Sequence, residues 1–156
     1  MNHAPKSQAR SAARLAAVQA LYQWHMEQPA LARLLDEFHQ HRLGRAVDDE
    51  GEDEPVYAEA ETAFFDDVVR GVAARVEEID ALVQSKLAAG WTTARLDKTM
   101  LQVLRAGIYE LLARADIPVA VAINEYVEVA KAFFDDTEAR FVNGVLDAVA
   151  KDARAG

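Results

Sequence analysis

Apolar residues recur at intervals of three and four along most of this 156-residue chain, and no stretch alternates polar with apolar long enough to make a convincing strand. The β-branched run from Val119 to Ile123 is too short to change that. A period near 3.6 gives each segment one apolar stripe, and such stripes are satisfied only by packing on one another. The chain is therefore predicted to be all-α, with about seven helices. Leu15, Val18, Leu21, Tyr22 and Met26 predict a first helix from Ser7 or Ser11 to Met26, stopped by Pro29. Leu34, Leu35 and Phe38 pattern a second, ending near Gly44, and Phe64, Phe65, Val68, Val69 and Val72 a third. Val76, Ile79, Leu82, Val83 and Leu87 pattern a fourth, stopped by Gly90. Asp97 suits the N-cap of a fifth, which carries Leu101, Leu104, Ile108 and Leu111 and must end before Pro118. Ile123, Val127 and Ala130 mark a sixth; Phe141, Val145, Leu146 and Val149 mark the last. Gly71, Gly107 and Gly144 fall inside these patterns, where glycine costs about 1 kcal/mol relative to alanine, so close helix approach is expected at each.

Length predicts one domain over residues 1–156. Within it, residues 46–55 read as an acidic loop insert, since Asp48 to Glu54 holds six acids and Gly51 and no apolar side chain. The net charge of -9 argues against a nucleic-acid partner when taken whole. Its distribution argues otherwise. Residues 1–45 carry six basic against three acidic side chains, residues 46–80 two against thirteen, and residues 81–156 nine against ten. Lys6, Arg10 and Arg14 are spaced by four and would line one helical face with positive charge.

Several classes of chemistry are excluded. The absence of cysteine removes disulfide scaffolds, thiolate metal sites and thiol catalysis, and makes the cytoplasm the expected compartment. No run of about 18 apolar residues is present, and Met1 to Arg14 lacks the apolar core of a signal peptide, so no membrane association is expected. Phosphate-binding, dinucleotide-binding, nucleophile-elbow and zinc-protease motifs are all missing. His39 and His41 are two apart, point in different directions on a helix, and have no third ligand nearby, so no metal is expected. Glu110 with Arg114 and Glu128 with Lys131 suit helix-surface ion pairs. With no catalytic residue and no cofactor implied, a binding module is the expected function. Phe141 and Tyr22 are the aromatic candidates for a base contact; Phe141 suits that and core packing equally, while Tyr22 and Trp24 are expected in or near the core.

Three segments are more specific than a generic bundle requires: Ala17-Val-Gln-Ala-Leu-Tyr-Gln-Trp24, Leu104-Arg-Ala-Gly-Ile-Tyr-Glu-Leu111, and Asp116 to Phe133 followed by Arg140-Phe-Val-Asn-Gly-Val-Leu-Asp147. In that order they resemble the NusB family of bacterial transcription antitermination factors, over about Arg10 to Ala150. The resemblance implies one helical domain of two small three-helix bundles with an extra helix. It implies binding of the boxA element of ribosomal RNA operons, together with the small-subunit ribosomal protein NusE, in a complex with other Nus factors and RNA polymerase. It implies neither catalysis nor a metal. Carried onto this chain, the RNA-contacting residues would be Lys6, Arg10, Arg14, Phe141 and Asn143. The partner-contacting ones would lie on the fifth helix at Met100, Leu101 and Arg105, while Glu110 would serve an intramolecular role. Asp135 and Asp136 precede the last helix, where Asp136 would either repel RNA phosphate or cap the helix. The alternatives are a protein-interaction adaptor, or an RNA-binding module related to the front domain of ribosomal RNA methyltransferases, although the chain leaves no length for a catalytic domain.

Overall fold

A computed structural model describes residues 4–41, 43 and 54–154, with side chains from Gln8 onward in the first helix and from Glu61 onward in the third. Most of the expected acidic loop, residues 46–53, lies outside the described residues. Its last two residues do not close a loop: Glu54 and Pro55 begin a helix, a position where the missing proline N–H costs no hydrogen bond. Among the described residues there are seven α-helices, one short 3-10 turn and no strand: α1 (Ala4–Glu27), α2 (Leu31–His41), α3 (Glu54–Ala74), α4 (Val76–Ser85), α5 (Lys98–Ala113), α6 (Val119–Phe133) and α7 (Asp136–Ala153). The all-α expectation holds, and the β-branched run at Val119 opens α6.

The chain divides into two compact units, residues 1–70 and 71–156. The first holds α1, α2 and most of α3. Its α1 buries Ala9, Ala13, Ala17, Val18 and Leu21, so small side chains carry most of that face. Gln28, in the left-handed region at φ 52°, donates its N–H to the Trp24 carbonyl at 2.8 Å and ends α1 just ahead of Pro29. Phe38 of α2 stacks on Phe65 of α3 with ring centroids 5.5 Å apart, and His39 bonds Asp66 at 2.6 Å beside that pair.

In the second unit α5 is buried on every side: each residue from Met100 to Leu111 is buried, including Gln102, Arg105 and Glu110. Burial of these polar groups is tolerable only because each has a partner. Arg105 is held bidentately by Asp80 of α4 at 2.8 and 2.7 Å, and Gln102 donates to the Lys98 carbonyl at 3.1 Å. Glu110 accepts from the Tyr126 hydroxyl of α6. Glu110 is therefore buried and not on the surface expected of a Glu110–Arg114 pair, and Arg114 bonds Asp116 at 3.0 Å. Asp97 caps α5 as expected, accepting from the N–H groups of Thr99 and Met100 at 2.8 and 3.1 Å. At the other end Arg154, beyond α7, donates to the carbonyls of Glu110, Leu111, Arg114 and Ile117 at 2.7 to 3.1 Å. One guanidinium therefore satisfies carbonyls that the end of α5 leaves open.

Two of the three glycines behave as expected. A Cβ at Gly71 would lie 2.1 Å from a Tyr109 ring carbon, and one at Gly107 would lie 2.9 Å from Leu146 Cδ1. Gly144 is a correction, since nothing approaches it within 4 Å and it faces outward on α7. Alanine at these positions should therefore act in opposite directions. Gly71→Ala should lower the thermal midpoint by about 4 °C or more, from 1 to 3 kcal/mol of overpacking, and Gly144→Ala should raise it by about 2 °C through helix propensity. Melting followed by circular dichroism checks both signs.

Candidate nucleic-acid interface

The α6–α7 hairpin positions the most promising group of side chains. Phe133 ends α6 and Phe134 follows it, their centroids 6.3 Å apart. Phe133 remains 41% exposed. Asp135 then caps α7 in a capping box, its N–H donating to Glu138 Oε1 at 3.1 Å. Asp136 is thus the first helical residue and not the cap, and its carboxylate is exposed.

Helix α7 buries Ala139, Val142, Val145, Leu146 and Val149, which turns Asp136, Arg140, Phe141, Asn143 and Gly144 outward. Phe141 is 37% exposed, which settles its position at the surface, although part of the ring remains packed. Between α6 and α7 lies an open groove of about 260 Å³ lined by Val127, Lys131, Asp136, Ala139, Arg140 and Asn143. Lys131 is only loosely held, 3.3 Å from Glu128 on the surface, in the ion pair expected from the sequence. The hairpin therefore combines two exposed phenyl rings, two cations and an amide that both donates and accepts. Those are the group types a single strand of RNA requires: cations for phosphates, rings for unstacked bases and an amide for a base edge. The α7 amino terminus adds partial positive charge, which Asp136 opposes.

The other expected residues fare differently. Arg10 and Arg14 lie over the Phe64 ring with centroid distances of 5.0 and 4.7 Å. Arg10 is partly exposed, but Arg14 is 3% exposed and belongs to the interior of its unit, so the expected three-cation stripe does not form. The Lys6 side chain lies outside the described residues. Met100, Leu101 and Arg105 are all buried, the last clamped by Asp80, and none offers a surface to a partner. Tyr22 is a further correction: it is 40% exposed and Met26, one turn later, 48% exposed. The alanines of α1 carry its buried face, which frees both of these larger side chains, while Trp24 is half-buried.

Lys131, Phe133 and Arg140 were not singled out by the sequence reading, although the doubled phenylalanine at 133 and 134 was a usable signal. Among the described residues no group of three or more histidines and carboxylates is placed to hold a metal, and no helix is long and apolar enough to cross a membrane.

The model of the NusB family matches residues 11–151. The transcription antitermination protein NusB of Novosphingobium aromaticivorans is 64% identical over 146 residues, spanning 94% of this chain and 95% of that protein. Among solved structures, T. maritima NusB superposes with a TM-score of 0.73 at 32% identity, over 92% of this chain and 91% of that one. A chain from the crystal structure of antitermination factors NusB and NusE in complex with double-stranded RNA gives a TM-score of 0.71 at 25% identity, over 92% and 97% of the two chains.

The burial difference between the two arginines has a measurable consequence. Arg14→Ala should cost about 2 kcal/mol or more, from a desolvated cation–π contact and lost packing, and should lower the denaturant midpoint. Arg10→Ala should change it by less than about 0.5 kcal/mol. Urea unfolding of the two variants tests the contrast, and equal midpoints would return Arg14 to the surface.

Proposed function

Because this chain belongs to the NusB family, we propose that it is a transcription antitermination factor that binds boxA-type single-stranded RNA of ribosomal RNA operons together with the ribosomal protein NusE. It would do so in the cytoplasm, in a complex with other Nus factors and RNA polymerase. The observation that carries the RNA part is the exposed hairpin set: Lys131, Arg140 and Asn143 line the groove between α6 and α7, and Phe133 and Phe141 are exposed on the same two helices. On this reading Lys131 and Arg140 neutralise phosphates, the two phenyl rings stack bases, and Asn143 reads a base edge. On the first unit Arg10 would contact phosphate, and Lys6 with it. Arg14 acts indirectly, by fixing Phe64 under Arg10. Structural relatives bound to both NusE and RNA support the pairing of partners. With Met100, Leu101 and Arg105 buried, the protein contact passes to exposed apolar side chains, of which Tyr22 and Met26 form a pair on α1. The activity is binding, and no bond-making step is assigned to any residue.

Fluorescence anisotropy with boxA-type and scrambled RNA, with and without NusE, tests the proposal. Weak binding alone, preference for boxA-type RNA and marked tightening by NusE are expected, because few cations serve a chain of net charge -9. About four phosphate contacts, at Lys131, Arg140, Arg10 and Lys6, at roughly -0.7 each give a salt slope of about -3 for the protein alone. Equal affinity for both RNAs with and without NusE would overturn it. Asp136→Asn isolates the local electrostatics, since Asp135 and not Asp136 holds the cap. Removing a like charge worth about 1 kcal/mol should raise affinity severalfold at low salt, the gain fading as salt screens it, with thermal stability little changed. Unchanged affinity at low salt would place the RNA away from this hairpin.

A further inference from the structure

Trp91 lies in the connection between α4 and α5, outside the hairpin, and it is the most conspicuous exposed ring not yet explained: 46% of it faces solvent. Exposure usually accompanies freedom, but here the surrounding backbone is fixed. Gln84 at the end of α4 donates to the Trp91 carbonyl at 2.7 Å and accepts from the Thr93 N–H at 3.1 Å. The Trp91 N–H reaches the Ala88 carbonyl at 3.0 Å, and Gly90 takes the left-handed conformation at φ 87° that starts the turn. Arg95, on the following 3-10 turn, lays its guanidinium over the indole at 4.7 Å from the ring centroid. One of its five N–H donors holds the Gly90 carbonyl at 3.0 Å, which fixes the plane of the stack.

The geometry points to a second RNA contact at this ledge, in which an unpaired nucleobase stacks on the Trp91–Arg95 pair while the other Arg95 donors meet a phosphate. Three features favour that ligand. A preordered indole and guanidinium offer a flat surface at little entropic cost, and stacking of this kind accepts any base. The segment from Lys86 to Lys98 carries three basic residues, Lys86, Arg95 and Lys98, against Asp97 alone, a local charge of +2 in a chain of -9. An anionic strand is therefore the complementary partner. Lys86 is already paired with Asp152, which leaves Arg95 and exposed Lys98 as the cations nearest the strand.

This assignment rests on the reading of the chain as an RNA-binding protein, and the experiment separates the two. A single-stranded boxA-type RNA of about 20 nucleotides serves as probe, at two salt concentrations, against wild type, Trp91→Ala, Trp91→Phe and Arg95→Ala. Trp91→Ala should weaken RNA binding about fivefold or more with the salt slope unchanged, because stacking is uncharged, and Trp91→Phe should recover part of the loss. Arg95→Ala should weaken binding and flatten the slope by about 0.7. In a Trp24→Phe background Trp91 is the sole indole, and its emission should be quenched on addition of RNA. That readout needs no change at the ledge itself. Failure of wild type to bind the RNA would overturn the function proposed above and this site with it. Wild-type affinity retained by Trp91→Ala, or an indole emission unmoved by saturating RNA, would overturn the ledge alone. Emission that responds to NusE and not to RNA would overturn it too, and would make the ledge a protein contact.

Discussion

The second unit depends on burying a helix that is not wholly apolar. From Met100 to Leu111 every side chain of α5 is out of water, yet the run includes a glutamine, an arginine and a glutamate. An unpaired charge in such a place costs several kcal/mol, so the helix is tolerable only with its neighbours in register. Asp80 of α4 must meet Arg105, the Tyr126 hydroxyl of α6 must reach Glu110, and Arg154 beyond α7 must close the carbonyl end. Each flanking helix thereby supplies one polar partner that no apolar contact could replace. Gly107, against Leu146, lets α7 come close enough for the last of these.

The outward-facing side chains are consequently found around α5 and not on it. Met100, Leu101 and Arg105 were attractive partner contacts because they sit where the resembled family makes one. Their side chains are committed inward. What faces outward is the α6–α7 turn, where Phe133 is exposed and where the capping box of Asp135 and Glu138 defines the first turn of α7. The buried stripe of α7 leaves Arg140, Phe141 and Asn143 exposed, and Arg140 and Asn143 line the groove against α6.

Much of this was legible in the residues. Period 3.6 located seven helices, Asp97 announced its cap, and Gly71 and Gly107 announced their close contacts. The failures share a cause. Tyr22 was placed inward because large apolar residues define a stripe by eye, whereas α1 is buried through Ala9, Ala13, Ala17 and their neighbours, which carry little hydropathic signal. Gly144 looked like Gly107 because a glycine's neighbours across an interface are invisible in its own helix. Glu110 and Arg114 have the spacing of a helix-surface pair, and only the three-dimensional position of Tyr126 shows that Glu110 is buried and accepts from its hydroxyl.

The basic amino terminus shows why charge spacing alone is an incomplete guide to nucleic-acid binding. Lys6, Arg10 and Arg14 share one helical stripe, but a stripe on a helix that packs along its length runs from solvent into the interior. Arg14 therefore meets the face of Phe64, as Arg10 does from further out, and one ring holds two guanidiniums. Guanidinium suits this position because it is weakly hydrated and flat, where an ammonium would demand water. The same stacking preference that fits arginine to an unpaired base fits it to a phenylalanine in its own fold. A buried cation of this kind can serve a binding surface only by fixing the residue beside it, so fewer cations face solvent than the stripe contains.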